Sequence, residues 1–311
     1  MDRRTFIRMT GGAAALAAGA DTTACSADLP AEAVAAWRGP PADEPDIRRW
    51  ALGYAILAPH SHNLQSWRAD LRTPGELVLT CDPERLLPQT DPYSRQIMMS
   101  HGTFLELLDI AAGARGWRTE IALFPDGEFD PRRIDGRPVA RVRFEHDAAQ
   151  KRDPLFEQIV RRHTNREAYE PRVPEPAALR AIEQAVAGSA MRVGFTTSAQ
   201  PDLVEHHRAI ALDAWRIELQ TPRTILESLR VMRIGPKEIA EHRDGLSANG
   251  WPLRALTALG MFDRSKAPGP RDYAVTSQVD DFRGKLAATP AFFWMVSEGN
   301  DRRTQVNAGR A

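Results

Sequence analysis

Apolar and polar positions repeat with two different periods along the chain, and these periods predict a mixed fold of helices and strands. Helical spacing begins after Asp46, a capping residue, in "DIRRWALGYAILAP", and it ends before Pro59. A long helix of the buried type is predicted in "YSRQIMMSHGTFLELLDIAAGARGW", where Gly102 permits close packing. Strand-like alternation appears in "ELVLTCD", "RTEIALFP" and "VARVRFE". The first half therefore predicts a unit of helices and strands that ends near Glu145.

A polar stretch, "HDAAQKRDP" at residues 146–154, separates this pattern from a second one. The segment that starts with "LFEQIV" predicts a helix, then a polar loop, then another helix after Pro176. "AMRVGFTT" predicts a strand and "DLVEHHRAIALDAWRIELQ" a helix, and residues 221–272 are helical with Gly and Pro interruptions. "PAFFWMVSEGNDRRTQVNAGRA" then predicts a strand and the first turns of a helix.

Two segments in opposite halves of the chain resemble each other. "DPYSRQIMMSHGTF" and "GNDRRTQVNAGRA" both follow a predicted strand, and each contains an arginine that is followed by a glycine. Such self-similarity indicates a duplicated fold. On this interpretation Ala311 falls early in a helix, which suggests a second unit truncated at its C-terminus. The predicted domains are a signal-like segment at 1–28, a linker at 29–46, and units at 47–150 and 151–311 with a helical insertion at 221–272.

The charge and cysteine counts exclude several classes of protein. Lys plus Arg and Asp plus Glu both number 41, so no global field favours nucleic acid or an acidic membrane surface. The two cysteines, Cys25 and Cys81, are too few for a disulfide framework or a structural zinc site.

The N-terminal segment "MDRRTFIRMTGGAAALAAGADTTACSADLP" looks like a twin-arginine export signal. Its apolar run, residues 9–20, is shorter than the roughly 20 residues of a membrane span, so no transmembrane helix is predicted there. We expect engagement of the export machinery and a periplasmic or cell-surface location, or a cytoplasmic one if the signal is not used. Two alternatives stay open, which are a disordered basic tail and lipidation at Cys25.

The stretch "LAPHSHNLQSW", residues 57–67, concentrates hydrogen-bonding side chains between a predicted helix and a predicted strand. Such a loop suits a flat polar ligand. His60 and His62 could also ligate a metal, although no neighbouring Asp, Glu or Cys completes a set. Ser61 beside His62 could form a nucleophile and base, but no nucleophile-elbow glycines flank it. A turn that only caps the helix is the remaining alternative.

A second cluster, "IVRRHTNREAY" at residues 159–169, gathers three arginines, a histidine, a threonine and an asparagine. Guanidinium groups bind phosphate oxygens bidentately, and a threonine hydroxyl adds a neutral donor. This composition therefore predicts a phosphate site. The alternative is a solvated basic helix end favoured by the helix dipole, which accounts for Arg161 and Arg162 but not for the polar residues that follow.

Both clusters carry a resemblance to a known family. "APHSHNLQSW" resembles the "APSxxNxQPW" loop of the FMN-dependent nitroreductases, with Ser66 in place of the usual proline, and "RRHTNREAY" resembles their "R[RH]SxRxF" stretch. In that family the two motifs come from different subunits of a dimer and meet at one flavin. Here each motif occurs once, in opposite halves, which is similar to the Acg-type flavoproteins, whose single chain carries two fused nitroreductase units.

The resemblance implies an α+β fold with α/β/α layers, built as a tandem pseudo-dimeric repeat of mixed, mainly antiparallel sheet flanked by helices. It implies FMN as cofactor, with NADH, NADPH or another donor, and a nitroaromatic or quinone-like acceptor. No side chain need act as acid or base, because the flavin carries the chemistry. The assembly is expected to be a monomer or a homodimer, without metal. The residues implied in cofactor binding are Arg162, His163, Thr164, Asn165 and Arg166, together with Pro59, His60, Ser61, Asn63 and Gln65.

An alternative function keeps the flavin and removes the turnover. The helical insertion at 221–272 could form a lid over a sequestered flavin, or it could be an ordinary packing layer. Its candidate lid residues are Trp251, Leu253, Leu256, Leu259 and Met261.

Overall fold

The computed structural model describes residues 29–170 and 172–311. The predicted twin-arginine segment and Cys25 lie outside the described residues. The chain separates into two compact units. The first unit contains residues 34–164, 188–191 and 297–311, and the second contains residues 165–187 and 192–296 together with the described residues 29–33.

The described residues contain nine α-helices and eight β-strands. In chain order they are α1 (Ile47–Ala55), β1 (Trp67–Asp70), β2 (Glu76–Cys81), α2 (Arg95–Ala114), β3 (Trp117–Leu123), β4 (Pro138–His146), α3 (Pro176–Ala185), β5 (Met191–Thr197), α4 (Pro201–Gln220), α5 (Pro222–Arg230), β6 (Met232–Ile234), α6 (Gly235–His242), β7 (Leu246–Ala248), α7 (Trp251–Ala258), α8 (Tyr273–Ala287), β8 (Ala291–Ser297) and α9 (Arg302–Arg310).

The first unit is built on a four-stranded antiparallel sheet with strand order β1-β2-β4-β3. Burial alternates along β2, so that Leu77 and Leu79 are fully buried while the residues between them reach the other face. Helix α2 adds Met98, Phe104 and Leu108 to the same core, each with no exposed surface. The sheet and α2 together form the hydrophobic centre of this unit.

Helix α1 forms as the sequence predicts. The Asp46 carboxylate caps its first turn by accepting a hydrogen bond from the Arg48 amide at 3.0 Å. Trp50, Ala51 and Ala55 lie on its buried face and pack into the core of the first unit. The chain then leaves the helix and enters the polar loop that precedes β1.

Helices α2 and α9 cross in close contact through two glycines. A Cβ atom added to Gly102 would lie 2.0 Å from the Val306 carbonyl oxygen, and one added to Gly309 would lie 1.9 Å from the Met99 carbonyl oxygen. The contact is reciprocal, because Met99 and Val306 each precede the glycine of their own helix by three residues. Only glycine allows the two backbones to approach this closely.

Arg302 anchors the start of α9 in the first unit. Its side chain is buried and its guanidinium group donates to the carbonyl oxygens of Tyr93 at 2.7 Å, Asp130 at 3.0 Å and Pro131 at 3.0 Å. These contacts satisfy the buried guanidinium group and tie α9 to the chain at residues 93 and 130–131. Sequence reasoning missed this role, because an arginine at a helix start carries no sign of burial.

The second unit contains six of the described helices, α3 to α8, and two small sheets. Strands β5 and β8 form one sheet, and the short strands β6 and β7 pair in parallel in the other. The Trp294 ring of β8 lies against Gly194 of β5, where a Cβ atom would come within 2.5 Å of it. Two separate clusters form its interior, one around Leu229 and Val275 and one around Leu253.

The α+β class and the mixed, mainly antiparallel pairing of the strands are therefore confirmed. The helix predicted from "LFEQIV" is wrong, because the chain forms only a 3-10 turn at Pro154–Gln158. The sequence interpretation also omitted β1, β6, β7 and α8. Within the described part of the chain, no helix is both long enough and apolar enough to cross a membrane. The domain boundaries at residues 150 and 151 stay a prediction.

Candidate functional site

The polar loop between α1 and β1 is fixed on one face of α2. The Ser61 hydroxyl donates to Gln96 Oε1 at 3.2 Å, and the Ser61 amide donates to Ser100 Oγ at 3.4 Å. Thr103 Oγ1 donates to the Pro59 carbonyl oxygen at 3.2 Å. Gln96, Ser100 and Thr103 follow one another by four and three residues, so they share one face of the helix. This polar stripe on α2 positions the loop.

Three residues of the loop adopt left-handed backbone conformations. The φ angles are 50° at His62, 52° at Asn63 and 53° at Gln65. Each such residue costs on the order of 1 kcal/mol unless surrounding contacts compensate, and asparagine and histidine tolerate the conformation better than most residues. Strained backbone of this kind clusters at ligand sites, which supports the loop as a candidate binding element.

His60 bridges the two ends of the strained segment. Its Nε2 atom accepts a hydrogen bond from the Ser66 amide at 3.1 Å and lies 2.7 Å from Ser66 Oγ, while Nδ1 lies 2.9 Å from the Ser61 carbonyl oxygen. Because the amide can only donate and the carbonyl can only accept, the proton is on Nδ1. Burial lowers the pKa of His60 to about 4. The imidazole is therefore neutral, and both nitrogen atoms are occupied.

These contacts bear on two alternatives for the loop. No His60 nitrogen remains for a metal ion, and among the described residues no group of three His, Cys, Asp or Glu side chains could hold one. The Ser61 hydroxyl donates to Gln96 and lies 3.5 Å from His62 Nδ1, at the limit of a hydrogen bond. This arrangement does not activate Ser61 as a nucleophile.

Arg162 joins the arginine cluster to the polar loop within the first unit. Its Nη2 atom donates to the Leu57 carbonyl oxygen at 2.9 Å, and its guanidinium carbon lies 5.7 Å from the centre of the Trp37 ring. The Nε atom is buried and has no hydrogen-bond partner within the described residues. No described residue forms an ion pair with Arg162. Burial lowers the pKa of this guanidinium, although it stays charged. A half-buried cation with an unsatisfied donor favours an anionic ligand.

The remaining predicted residues are more exposed. His163 and Thr164 lie at the surface of the first unit, and His163 Nδ1 is 3.3 Å from the Arg161 carbonyl oxygen. Asn165 and Arg166 belong to the second unit and are exposed, and Asn165 Oδ1 accepts from the Glu167 amide at 3.0 Å. In the loop, Gln65 Nε2 lies 3.5 Å from Asn63 Oδ1. The first unit thus brings Arg162 together with the loop, and the other members of the arginine cluster add no described contact to it.

Sequence reasoning missed several residues that shape this site. Gln96, Ser100 and Thr103 of α2 hold the loop, and Trp37 flanks Arg162. The three α2 residues could have been found from their helical spacing on a buried helix. Trp37 could not, since it lies in a 3-10 turn, Ala35–Arg38, within a segment that the sequence predicts as a linker.

No protein-family model matches this chain. Over 122 residues, 39% of this chain, it is 32% identical to two proteins named "Putative NAD(P)H nitroreductase", from Mycobacterium tuberculosis strains CDC 1551 and H37Rv. The matched segment spans 33% of the length of each relative. This similarity supports a distant relationship to the nitroreductase-like superfamily.

Proposed function

We propose that this protein is an FMN-dependent oxidoreductase that passes electrons from a reduced nicotinamide or another donor to a nitroaromatic or quinone-like acceptor. The names of the two mycobacterial relatives favour NAD(P)H-dependent reduction as the class of reaction. The specific donor, acceptor and cofactor are part of the proposal.

The observation that supports this proposal most directly is the hydrogen bond from Arg162 Nη2 to the Leu57 carbonyl oxygen. It connects two motifs that are separated by 105 positions in the sequence. The unpaired Nε atom of Arg162 fits a phosphate, because a phosphate oxygen would satisfy a donor that the described residues leave unsatisfied. The donor set therefore fits the anionic end of FMN.

The roles of the residues follow from their chemistry. Arg162, His163 and Thr164 would hold the phosphate. The family resemblance implies Asn165 and Arg166 in cofactor binding as well, with the Arg166 cation at the position for the isoalloxazine ring. Pro59, His60, Ser61, Asn63 and Gln65 would form the loop against the ribityl chain and ring. A bound flavin supplies hydride and electron transfer that amino-acid side chains cannot provide. The side chains bind, orient and exclude water, and no side chain is assigned as a catalytic acid or base.

Export is part of the proposal as well. The "DRRTFIRM" segment supports a twin-arginine substrate that reaches the periplasm or cell surface already folded. Mass spectrometry of the mature N-terminus from the native host tests it. An intact N-terminus in the cytoplasmic fraction would contradict export.

The site assignment is tested with Arg162→Ala and the matched control Arg161→Ala in the full-length protein. Arg161 is the exposed neighbour, and its side chain forms no hydrogen bond or ion pair within the described residues. Loss of a charge-assisted contact of about 1.5 to 3 kcal/mol should raise the Kd for FMN roughly 10- to 100-fold in Arg162→Ala. Arg161→Ala should bind as wild type does. Equal affinity in both variants would remove the site, and a wild-type protein that takes up no FMN would overturn the function.

The alternative function is a flavin-binding or flavin-sequestering protein with little or no turnover. It is favoured by Trp251 of α7 and by Leu259 directly after that helix, which expose 77% and 71% of their surface and could cover a ligand. Leu253, in contrast, is fully buried among Ile234 and Ala248 and belongs to an ordinary packing layer. Stopped-flow mixing of the FMN-loaded protein with NADH and NADPH distinguishes the two functions, because a flavin that stays oxidised favours sequestration.

A further inference from the structure

His60 and Ser66 stand at the two positions where the loop differs from the "APSxxNxQPW" pattern, which has serine at the first and proline at the second. In the structure these two residues contact each other. The Ser66 amide donates to His60 Nε2 at 3.1 Å, and Ser66 Oγ lies 2.7 Å from the same atom. A proline at position 66 has no amide hydrogen and no hydroxyl, so it could form neither contact. The two differences are therefore linked by their chemistry.

We propose that His60 and Ser66 form a positioning pair that closes the loop and holds its binding conformation. The inference rests on the proposed function, because it concerns how the same loop is prepared for its ligand. It assigns His60 and Ser66 to the support of the loop and leaves the ligand contacts to their neighbours.

The geometry of the pair explains why it acts through the loop. The three residues with left-handed backbone, His62, Asn63 and Gln65, all lie between His60 and Ser66. A hydrogen bond across the ends of this segment restricts the conformations that the strained residues can adopt. The backbone of Asn63 and Gln65 is thereby restricted, which lowers the ordering cost of binding.

The imidazole is itself held on several sides. Nδ1 donates to the Ser61 carbonyl oxygen at 2.9 Å, and the ring contacts Trp67 edge to face at 5.0 Å between centres. These contacts select one tautomer and one ring orientation, with Nε2 as the acceptor. Ser66 is fully buried, so without Nε2 its amide would lose its acceptor in a dry environment.

The first experiment examines the pair without any ligand. In the full-length protein prepared free of FMN, the long-range proton–nitrogen NMR spectrum of ¹⁵N-histidine-labelled protein, assigned with His60→Gln, reports the His60 tautomer at neutral pH. The expected result is a neutral ring with the proton on Nδ1. A proton on Nε2, or a charged imidazolium, would overturn the pair whatever the protein binds.

The second experiment is a set of variants read by FMN affinity. His60→Ala should weaken FMN binding about tenfold or more, because the Ser66 amide loses its acceptor. His60→Gln keeps an acceptor at a similar reach and should restore most of the affinity. His62→Ala, at the neighbouring histidine, is the matched control and should change affinity less than His60→Ala. Wild-type affinity in His60→Ala would overturn the proposal.

The third experiment tests the coupling directly. Ser66→Pro and His60→Ser should each weaken binding, and the double variant His60→Ser with Ser66→Pro should bind more tightly than the product of the single effects predicts. Strictly additive losses would contradict the pair. If wild type fails to bind FMN, the same cycle read by thermal unfolding still tests the pair, since the proposed function alone would then have failed. Should Ser66→Pro not fold, Ser66→Ala with His60→Ala gives the corresponding cycle for the hydroxyl contact.

Discussion

At the scale of single residues, the candidate site contains two half-buried nitrogen groups in opposite states. His60 is kept neutral by burial, and Arg162 stays charged although it is partly removed from water. The neutral His60 ring accepts a hydrogen bond from the Ser66 amide, whereas the charged Arg162 guanidinium has an unsatisfied donor, Nε. His60 is therefore suited to supporting the loop, and Arg162 is suited to binding an anionic ligand.

The low pKa of His60 predicts a pH dependence of stability. Because the pKa is lower in the folded protein, at about 4, than its ordinary value near 6.5, the unfolded chain binds the proton more tightly within this window. The free energy of unfolding therefore falls as pH decreases from about 6.5 to 4, by about 3 kcal/mol from this residue. Urea unfolding of wild type and His60→Gln at about pH 7 and pH 4.5 measures it, and the variant should lose less stability.

Other titratable and charged groups near His60 also affect its pKa. Arg85, His62 and the buried His101 of α2 all face the ring and disfavour its protonation. The pKa of His101 is also lowered by burial, so its contribution is present in both proteins and cancels in the comparison. Parallel pH curves for wild type and His60→Gln would show that His60 is not buried as described.

The sequence identifies the members of this site better than their contacts. Arg162 and the 57–67 loop are predicted from composition and resemblance, since hydrogen-bonding types are visible in the sequence. That His60 bonds to Ser66, and not to a ligand, depends on ring orientation and burial. Those properties arise only once α2 and Trp67 surround the ring.

At the scale of secondary-structure elements, the crossing of α2 and α9 depends on two glycines. At each glycine the backbone of one helix lies directly against the backbone of the other. A methyl group at either position would therefore collide with a carbonyl oxygen. Main-chain atoms cannot move aside as a flexible side chain can. The helices must then separate or shift along each other.

Gly102→Ala and Gly309→Ala are therefore expected to lower the free energy of unfolding by about 3 kcal/mol each. Gly284→Ala in α8 is the matched control, because no atom lies within 4 Å of its added Cβ. That variant should be neutral or more stable by up to about 1 kcal/mol, since alanine favours helix. Thermal or chemical unfolding measures all three, and an unchanged stability in Gly102→Ala would contradict the close crossing.

Elements with a long, regular pattern are the ones that the sequence predicts correctly. Helices α1, α2 and α4 and strands β2 to β4 carry apolar positions at the spacing of their structure. Strand β1 has only four residues, and β6 and β7 have three each, which is too short for a period to appear. The segment at 154–158 has helical composition, yet it forms a single 3-10 turn that Asp153 caps and Pro154 begins.

At the scale of the whole molecule, the chain passes from the first compact unit to the second between Thr164 and Asn165. The residues from 165 to 175 that the structure describes form neither helix nor strand and are almost all exposed. Their hydrogen bonds reach only near neighbours, such as the Glu167 amide to Asn165 and the Arg172 amide to Glu170. Other exposed loops are tied down, for example at Asp130 by Arg302.

Limited proteolysis tests this difference. Among the described residues, trypsin should cut first after Arg166 or Arg172, because local opening there breaks few contacts. The loop at Arg132 and Arg133 is the internal control and should be cut later, since Arg302 holds the carbonyl groups beside it. Peptide mass spectrometry of early digests identifies the site, and first cleavage at Arg132 would contradict the prediction.

The proposed duplication of the fold stays a prediction, and the ends of α2 and α9 support it. Each helix begins with an arginine, Arg95 or Arg302, and has its contact glycine seven residues later. An aspartate precedes each helix and accepts from its first amides, Asp91 in one case and Asp301 in the other. Sequence alone indicates this likeness, but the reciprocal contact between the two segments is visible only in the structure.

The position of α9 has a consequence for how the chain acquires its structure during synthesis. Val306 is fully buried in the core of the first unit, although that unit's other strands and helices are complete by about residue 164. On the ribosome, the first unit must therefore wait with an unfilled groove on α2 while residues 165–296 emerge. Closure of that groove joins segments some 200 positions apart, a slow, long-range step. The core of the first unit is therefore completed only after residues 165–296 have been synthesised.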